Sequence, residues 1–498
     1  MSEIRTTYSG LISAAFGLTR IFAGLFFMII ITRILVAEEL GTWALITSLL
    51  FYGIILDPII AYWATRDTAR KIDSGKTAIL GEGVLSIGGI GIYIIATIIV
   101  GPQTNADNTI LFFAIILIPV MYLNKVLSSI NLGWKPHTLS ISNSFADVAK
   151  IPLALLLIYY FDMGVTGIII SFFIGWVIYD AILLWYAKEK IKNGIKKEFF
   201  QKWLKISWLP LYPRIAPLIG RSDVIIFSII TGSVIGLAYY TAAVVIAGLV
   251  GYASAFSLGI YGKLLGEKNK NYLGHNITLQ IYFMILLGGL SIIFADFGLF
   301  ALNPIYKIAS LVVIILTVRI FFQTLNNLFI QILTGIEEVD TKKESKFSDY
   351  IKSKLFVIPT IQLIQTALYI GILSFVLIFT NDSSTQIELV IIWSIIALFI
   401  EIPLTIVLSI LVRKSVNIKI EKTRLLKYFI TAIIVFGTML MIIDEYLQYN
   451  EKLIEFLPSV LIFIAISASI YIITTIIIDS KIRNLTFSII NEIKKKKR

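Results

Sequence analysis

The chain has 498 residues, 57% of them hydrophobic, and carries a formal net charge of +12. Soluble domains hold about 45–50% apolar residues; the mean hydropathy here is +0.88, and a surplus gathered into long runs excludes a soluble globule and indicates an all-α polytopic membrane protein. Cysteine is absent and the two histidines, His137 and His275, lie in polar connecting segments, so the chain offers no disulfide framework, no thiolate or histidine metal centre and no His-based catalytic dyad.

Apolar segments long enough to cross a hydrocarbon core fall near 9–33, 41–62, 78–100, 109–130, 148–161, 163–187, 207–231, 234–262, 277–302, 308–335, 355–380, 386–412, 425–444 and 457–479. Span 1 carries Arg20 near its middle, in "FGLTRIFAGLF". About a dozen residues of 1.5 Å rise separate it from either end, beyond a snorkelling side chain's reach. A midplane arginine is costly unless it faces a polar interior. Span 2 reaches Asp57 and Pro58 near its inner end, where a disrupted helix suits a cation or proton. In span 3, "GEGVLSIGGIGIY", the glycines read as close helix contacts.

Span 4 carries Lys125, the short span 5 begins near Lys150, and span 6 carries Asp180. These three lie close enough to a span end to reach the headgroups. The basic linker 188–205 reads as an amphipathic surface helix or a solvated loop. Span 7 starts "SWLPLYPRIAPLIGRSDV" and combines Pro210, Pro213 and Pro217 with Arg214, Arg221 and Asp223. The prolines predict a bent or broken helix whose freed carbonyls rest against protein or a cavity. Arg214 and Arg221 are seven apart and share a face, whereas Asp223 points elsewhere. Arg319 lies mid-span in span 10, and Glu401 in span 12. The interior is therefore net basic and suits an anion; the alternative role for these arginines is pairing with the few acids to specify packing.

Loops after even-numbered spans are basic, as in "RDTARKIDSGK" and "RKSVNIKIEKTRLLK", while "GPQTNADN" and "NDSSTQ" have no Lys or Arg. The alternation places both termini in the cytoplasm. The positive charge is thus topological, and nucleic acid is not an expected partner. Trp43, Trp63, Trp134, Trp203 and Trp208 lie near span ends, as interfacial anchors do. No loop is large enough for a catalytic domain or an acidic metal site, so no catalytic residue, metal or cofactor is assigned and the chain is not read as an enzyme. "DSGKTA" lacks the first glycine of a phosphate-binding loop.

The segment "IITRILVAEELGTWALITSLL" in spans 1–2 and "IITGSVIGLAYYTAAVVIAG" in spans 7–8 share Ile-Ile-Thr, a short turn, a glycine and a small-residue span. This weak repeat suggests two parallel six-span bundles, 1–187 and 206–412, joined by 188–205. Residues 413–498 add two spans and a basic tail. Parallel duplications hold substrate between their halves.

With these segments, and with Gly41, Asp223, Gly236, Tyr239 and Ala242 at the matching positions, the chain resembles the Wzx-type oligosaccharide flippases of the multidrug/oligosaccharidyl-lipid/polysaccharide (MOP) exporter superfamily. The resemblance implies alternating access around a cationic lumen whose arginines hold a lipid-linked diphosphate. It assigns the anionic headgroup to Arg20 and Arg221, which fit by depth; by their own depth and facing, Arg214 and Arg319 are expected to play milder parts. Asp57, Asp223 and Glu401 are the candidate coupling or ion-pair acids, with H+ or Na+ as the ion. Spans 13 and 14 would offer a groove for the lipid tail. Span 2 lacks the arginines of the lipid II branch, which argues against a peptidoglycan precursor. The expected protein is a monomeric flippase of the cell membrane for surface polysaccharide assembly. The competing function is an ion-coupled multidrug or solute antiporter, which would favour acids over arginines in its lumen.

Overall fold

A computed structural model describes residues 19, 22–192, 194–205, 207–257, 272–337, 347–416 and 421–484. Among them the chain is helical, with no strand. The helices are α1 (Phe22–Ile34), α2 (Ala37–Gly53), α3 (Pro58–Ala69), α4 (Gly75–Val100), α5 (Asn108–Trp134), α6 (His137–Tyr160), α7 (Gly164–Ala187), α8 (Lys197–Lys205), α9 (Trp208–Gly220) and α10 (Ser222–Thr231). They continue as α11 (Ile235–Ser254), α12 (Tyr272–Ile293), α13 (Ala295–Leu302), α14 (Ser310–Gly335), α15 (Lys354–Thr380), α16 (Gln386–Ser415), α17 (Lys422–Tyr446) and α18 (Leu453–Ile478). Helices dominate because lipid leaves no water to satisfy backbone groups, so each span must close its own hydrogen bonds.

Eleven helices among the described residues are long and apolar enough to cross a membrane, and α2 with α3, bent by 67°, makes a twelfth. The other two expected spans are the first, of which the second half is described as α1, and the seventh, divided into α9 and α10. The chain forms two compact units: residues 1–241 with 366–389, and residues 242–365 with 390–498.

In the first unit α4 is polar inward and apolar outward. Glu82, Ser86, Tyr93 and Thr97 are buried, while Val84, Ile87 and Ile95 are exposed, the arrangement expected of a helix whose outer face meets lipid. Two of its glycines are the close contacts expected: a Cβ on Gly89 would sit 2.2 Å from the Gly53 carbonyl oxygen, and one on Gly81 2.5 Å from Ile60. Span 2 runs to Ala69 and bends before Pro58, so Asp57 occupies a mid-span break and Arg66 lies within α3. Proline has no N–H and its ring crowds the carbonyl four residues earlier. Asp57 N–H donates to Ile54 at 3.2 Å rather than back to Gly53. The Gly53 carbonyl accepts the Tyr122 hydroxyl instead, at 3.0 Å.

Span 5 is full length, 24 residues rather than the short piece expected. Its polar first half hides the helix from hydropathy, yet those side chains are satisfied locally. Ser142 donates to the Thr138 carbonyl and Ser144 to that of Ser140, each at 2.9 Å. His137 opens this helix and His275 lies in α12, so neither sits in a connecting loop. Because span 5 starts earlier, Lys150 is mid-span and does not snorkel: it is 7% exposed, 2.9 Å from Asp147 and 4.3 Å from the Phe172 ring centroid. Asp180 is likewise buried and accepts Asn124 at 3.2 Å. In the linker, α8 is amphipathic, with exposed Lys197, Lys202 and Lys205. Trp203, expected as an interfacial anchor, is fully buried with Ile60 and Ala64, and Trp43 is buried too.

The two Gly-turn segments singled out by the internal repeat pack against each other inside this unit. A Cβ on Gly41 would lie 1.9 Å from the Val234 carbonyl oxygen. Asn105 closes the contact, accepting Val234 N–H at 2.9 Å. A backbone neighbour cannot rotate aside, so Gly41→Ala is expected to cost about 1–3 kcal/mol. The check is the Tm of the purified protein in detergent; an unchanged Tm would show that the turn can move.

In the second unit, α17 and α18 dock on α12 through aromatic rings. Tyr282 lies 5.0 Å from Tyr428 and 5.6 Å from Tyr471 between centroids, and Phe436 lies 5.3 Å from Tyr471. Tyr282 also shares a 2.9 Å hydrogen bond with Thr475.

Candidate functional site

The site is built around two helix breaks in the first unit. The α9–α10 junction falls at Arg221, after Pro213 and Pro217. The carbonyls loosened there find donors on α2: Ser48 donates to the Arg221 carbonyl at 2.8 Å, and Tyr52 to that of Leu218 at 3.0 Å. This is how a proline-disrupted helix survives at membrane depth. These bonds hold span 7 beside the bend of span 2.

Between the breaks lies a small, open-sided cavity lined by Phe51, Ile54, Ile55, Asp57, Lys125, Arg214 and Leu218. Its charged groups come from the α2–α3 break, α5 and α9, three separate stretches of the chain. Arg214 is exposed, Lys125 partly buried, and Asp57 only 5% exposed. Arg221, also exposed, reaches the same wall from outside, its guanidinium 5.7 Å from the Phe51 ring centroid, within cation–π range. Lys125 therefore serves a cavity rather than the headgroup region expected of it.

Of the residues singled out in the sequence, this cavity gathers Asp57 and Arg214, with Arg221 beside them. Asp223 has a different task. It is buried at the start of α10, accepts the Tyr369 hydroxyl at 2.8 Å and caps Val224 N–H at 2.8 Å. It thereby ties α15 to α10. Arg319 and Glu401 belong to the second unit, where Glu401 is 7% exposed and accepts Asn326 at 2.6 Å. Arg319 acts electrostatically on Glu401. Arg20 lies outside the described residues.

Glu82 was missed. It is 1% exposed, faces Asp57 and Lys125 electrostatically, and sits seven residues inside α4. The signal was present, an acid inside the run "GEGVLSIGGIGIY", but the glycines around it drew the reading towards packing.

Chemically, two cations, a third nearby and two buried acids form a site that can hold an anionic group by charge-assisted hydrogen bonds. Among the described residues no group of His, Cys, Asp and Glu is placed to hold a metal ion.

No family model and no curated protein matches the sequence. Solved structures do resemble it. The lipid II flippase MurJ, in an inward closed conformation, superposes with a TM-score of 0.66 at 16% identity, over 96% of this chain and 100% of that one. A multidrug resistance MATE family transporter of the MOP superfamily, inward-facing, gives 0.61 at 13% identity, over 81% of this chain and 98% of that one. A MOP superfamily transporter from Pyrococcus furiosus, whose binding pocket is described as of reverse polarity, gives 0.50 at 14% identity, over 82% and 95%. What these proteins share with this chain is the fold, that of MATE transporters and MurJ.

Proposed function

We propose that this protein is a flippase that carries a lipid-linked oligosaccharide diphosphate across the cell membrane by alternating access, for surface glycan assembly. The observation that carries the reading is the cationic cavity in which Arg214 and Lys125 converge beside Arg221. A diphosphate crossing the bilayer without partners would meet a prohibitive desolvation cost. Guanidinium forks match phosphate oxygens in pairs and stay charged when dehydrated. Coverage of 96% of this chain by the MurJ likeness, including room for spans 13 and 14, supports a flippase over the shorter MATE pattern. The proposed bundles are 1–187 and 206–412, with both termini cytoplasmic.

A second reading, an ion-coupled multidrug or solute antiporter, is favoured by one observation, the buried acids Asp57 and Glu82 near the same cavity. The test is flipping of a fluorescent lipid-linked glycan diphosphate in proteoliposomes. Arg214→Ala with Arg221→Ala is expected to reduce it to the protein-free rate while the protein still inserts. Full flipping by the double variant, or transport of an organic cation in place of the glycan lipid, would overturn the flippase reading.

A further inference from the structure

The cavity holds a charge balance that ligand binding must disturb. Asp57 lines it and Glu82 lies buried within electrostatic reach of Asp57 and Lys125; the two acids are 5% and 1% exposed. Lys125 acts on both, and Arg214 on Asp57. The groups facing this pair from the packed elements are Lys125 and Tyr122 on α5 and Arg214 on α9. On α8, Lys202 acts on Asp67, at the far end of α3.

Glu82 is the unusual member. Among the described residues neither of its carboxylate oxygens has a hydrogen-bond partner. The Ala61 amide is close enough to share its proton with Glu82, but its well-formed hydrogen bond goes to the Asp57 carbonyl at 3.1 Å. A buried carboxylate with so little hydrogen bonding depends on nearby cations to keep its charge. The cations that could supply this field are those an anionic ligand would occupy. A ligand that pairs with Lys125 and Arg214 withdraws their field from the acids, and a proton is the replacement that costs least.

We propose that Glu82 and Asp57 form a carboxyl pair that takes up a proton from water when a diphosphate occupies Lys125 and Arg214, so that ligand and proton share one loaded state. This rests on the reading of the cavity as an anionic-headgroup site. It fixes a sign: ligand and proton bind cooperatively, and because linkage is reciprocal, ligand affinity rises as pH falls. A scheme in which a proton displaces the ligand from this cavity would have the opposite sign.

The experiment uses the full chain in detergent and UDP-glucose as probe, a diphosphate diester whose phosphates do not titrate near neutral pH. Calorimetry in buffers of different ionisation enthalpy gives the protons exchanged per ligand bound. Wild type is expected to take up a fraction of one proton and to bind up to about tenfold tighter per pH unit of acidification. Glu82→Gln is expected to bind UDP-glucose while losing most of the uptake, and Asp57→Asn to reduce it. Binding with no proton exchanged, or with release, overturns the proposal and leaves the anion site standing. Uptake in Glu82→Gln equal to wild type removes Glu82 from it. If wild type does not bind UDP-glucose, or Arg214→Ala binds it as well as wild type, the headgroup reading fails and the proton pair falls with it.

Discussion

Arg214→Ala is expected to weaken UDP-glucose binding about 10- to 150-fold. The estimate follows from the roughly 1.5–3 kcal/mol that a hydrogen bond to a charged group contributes. Arg214 lines the cavity directly and is exposed, so its removal breaks no packing and the variant is expected to insert and purify like wild type. Arg214→Lys should recover part of the loss, since a point charge replaces a planar fork. The site is partly open, so binding should also weaken with added salt. On sequence grounds Arg221 ranked above Arg214; we place Arg214 first here, because it lines the cavity, whereas Arg221 stands against its Phe51 wall. Equal losses for Arg221→Ala and Arg214→Ala would show that both arginines reach the ligand. No loss for Arg214→Ala would place the anion elsewhere.

The second large effect concerns the two C-terminal spans. Asp479 follows α18 and is 6% exposed. It accepts Arg424 Nε at 2.6 Å and the Tyr428 hydroxyl, and Arg424 also donates to Tyr428 at 2.9 Å. Outside this knot Glu421 pairs with Arg424 at 3.2 Å and with Lys481. Asp479→Ala leaves the Arg424 guanidinium, 12% exposed, without its main counter-charge. Stranding one partner of a buried pair costs about 3–5 kcal/mol. Loosening of α17 from the end of α18 should follow, read as a lower Tm of the purified protein.

The same knot predicts an acid dependence. Burial alone would raise the Asp479 carboxyl, but the Tyr428 hydroxyl and Arg424 outweigh it and hold it below the usual carboxylate range. A group depressed in the folded state contributes stability above its unfolded pKa and loses it as pH falls through the folded one. The Asp479 contribution should therefore be complete at neutral pH and fade only below about pH 4. An Asp479→Ala defect that persisted undiminished at pH 3 would show that the loss comes from packing rather than charge.

The sequence by itself determined the class of protein, the order and approximate length of most spans, and the identity of the charges inside them. These are local properties: a run of apolar residues of bilayer length has few structures open to it, and an arginine within such a run stands out without knowledge of its neighbours. Span 5 escaped for a local reason too, because hydroxyls that bond back to their own helix count as polar in hydropathy yet cost little when buried. Only the tertiary structure decided which charges meet. Asp57, Glu82, Lys125 and Arg214 come from four separate stretches of chain, and no spacing rule relates them. Two breaks aim them at one place: Pro58 turns span 2 at Asp57, and Ser48 and Tyr52 hold the broken span 7 against it. Asp223, equally prominent in the sequence, was turned away by one hydrogen bond to Tyr369, 146 residues distant. Partners are chosen by helix packing, which depends on every face at once, and so the charges were legible in the sequence while the site they form was not.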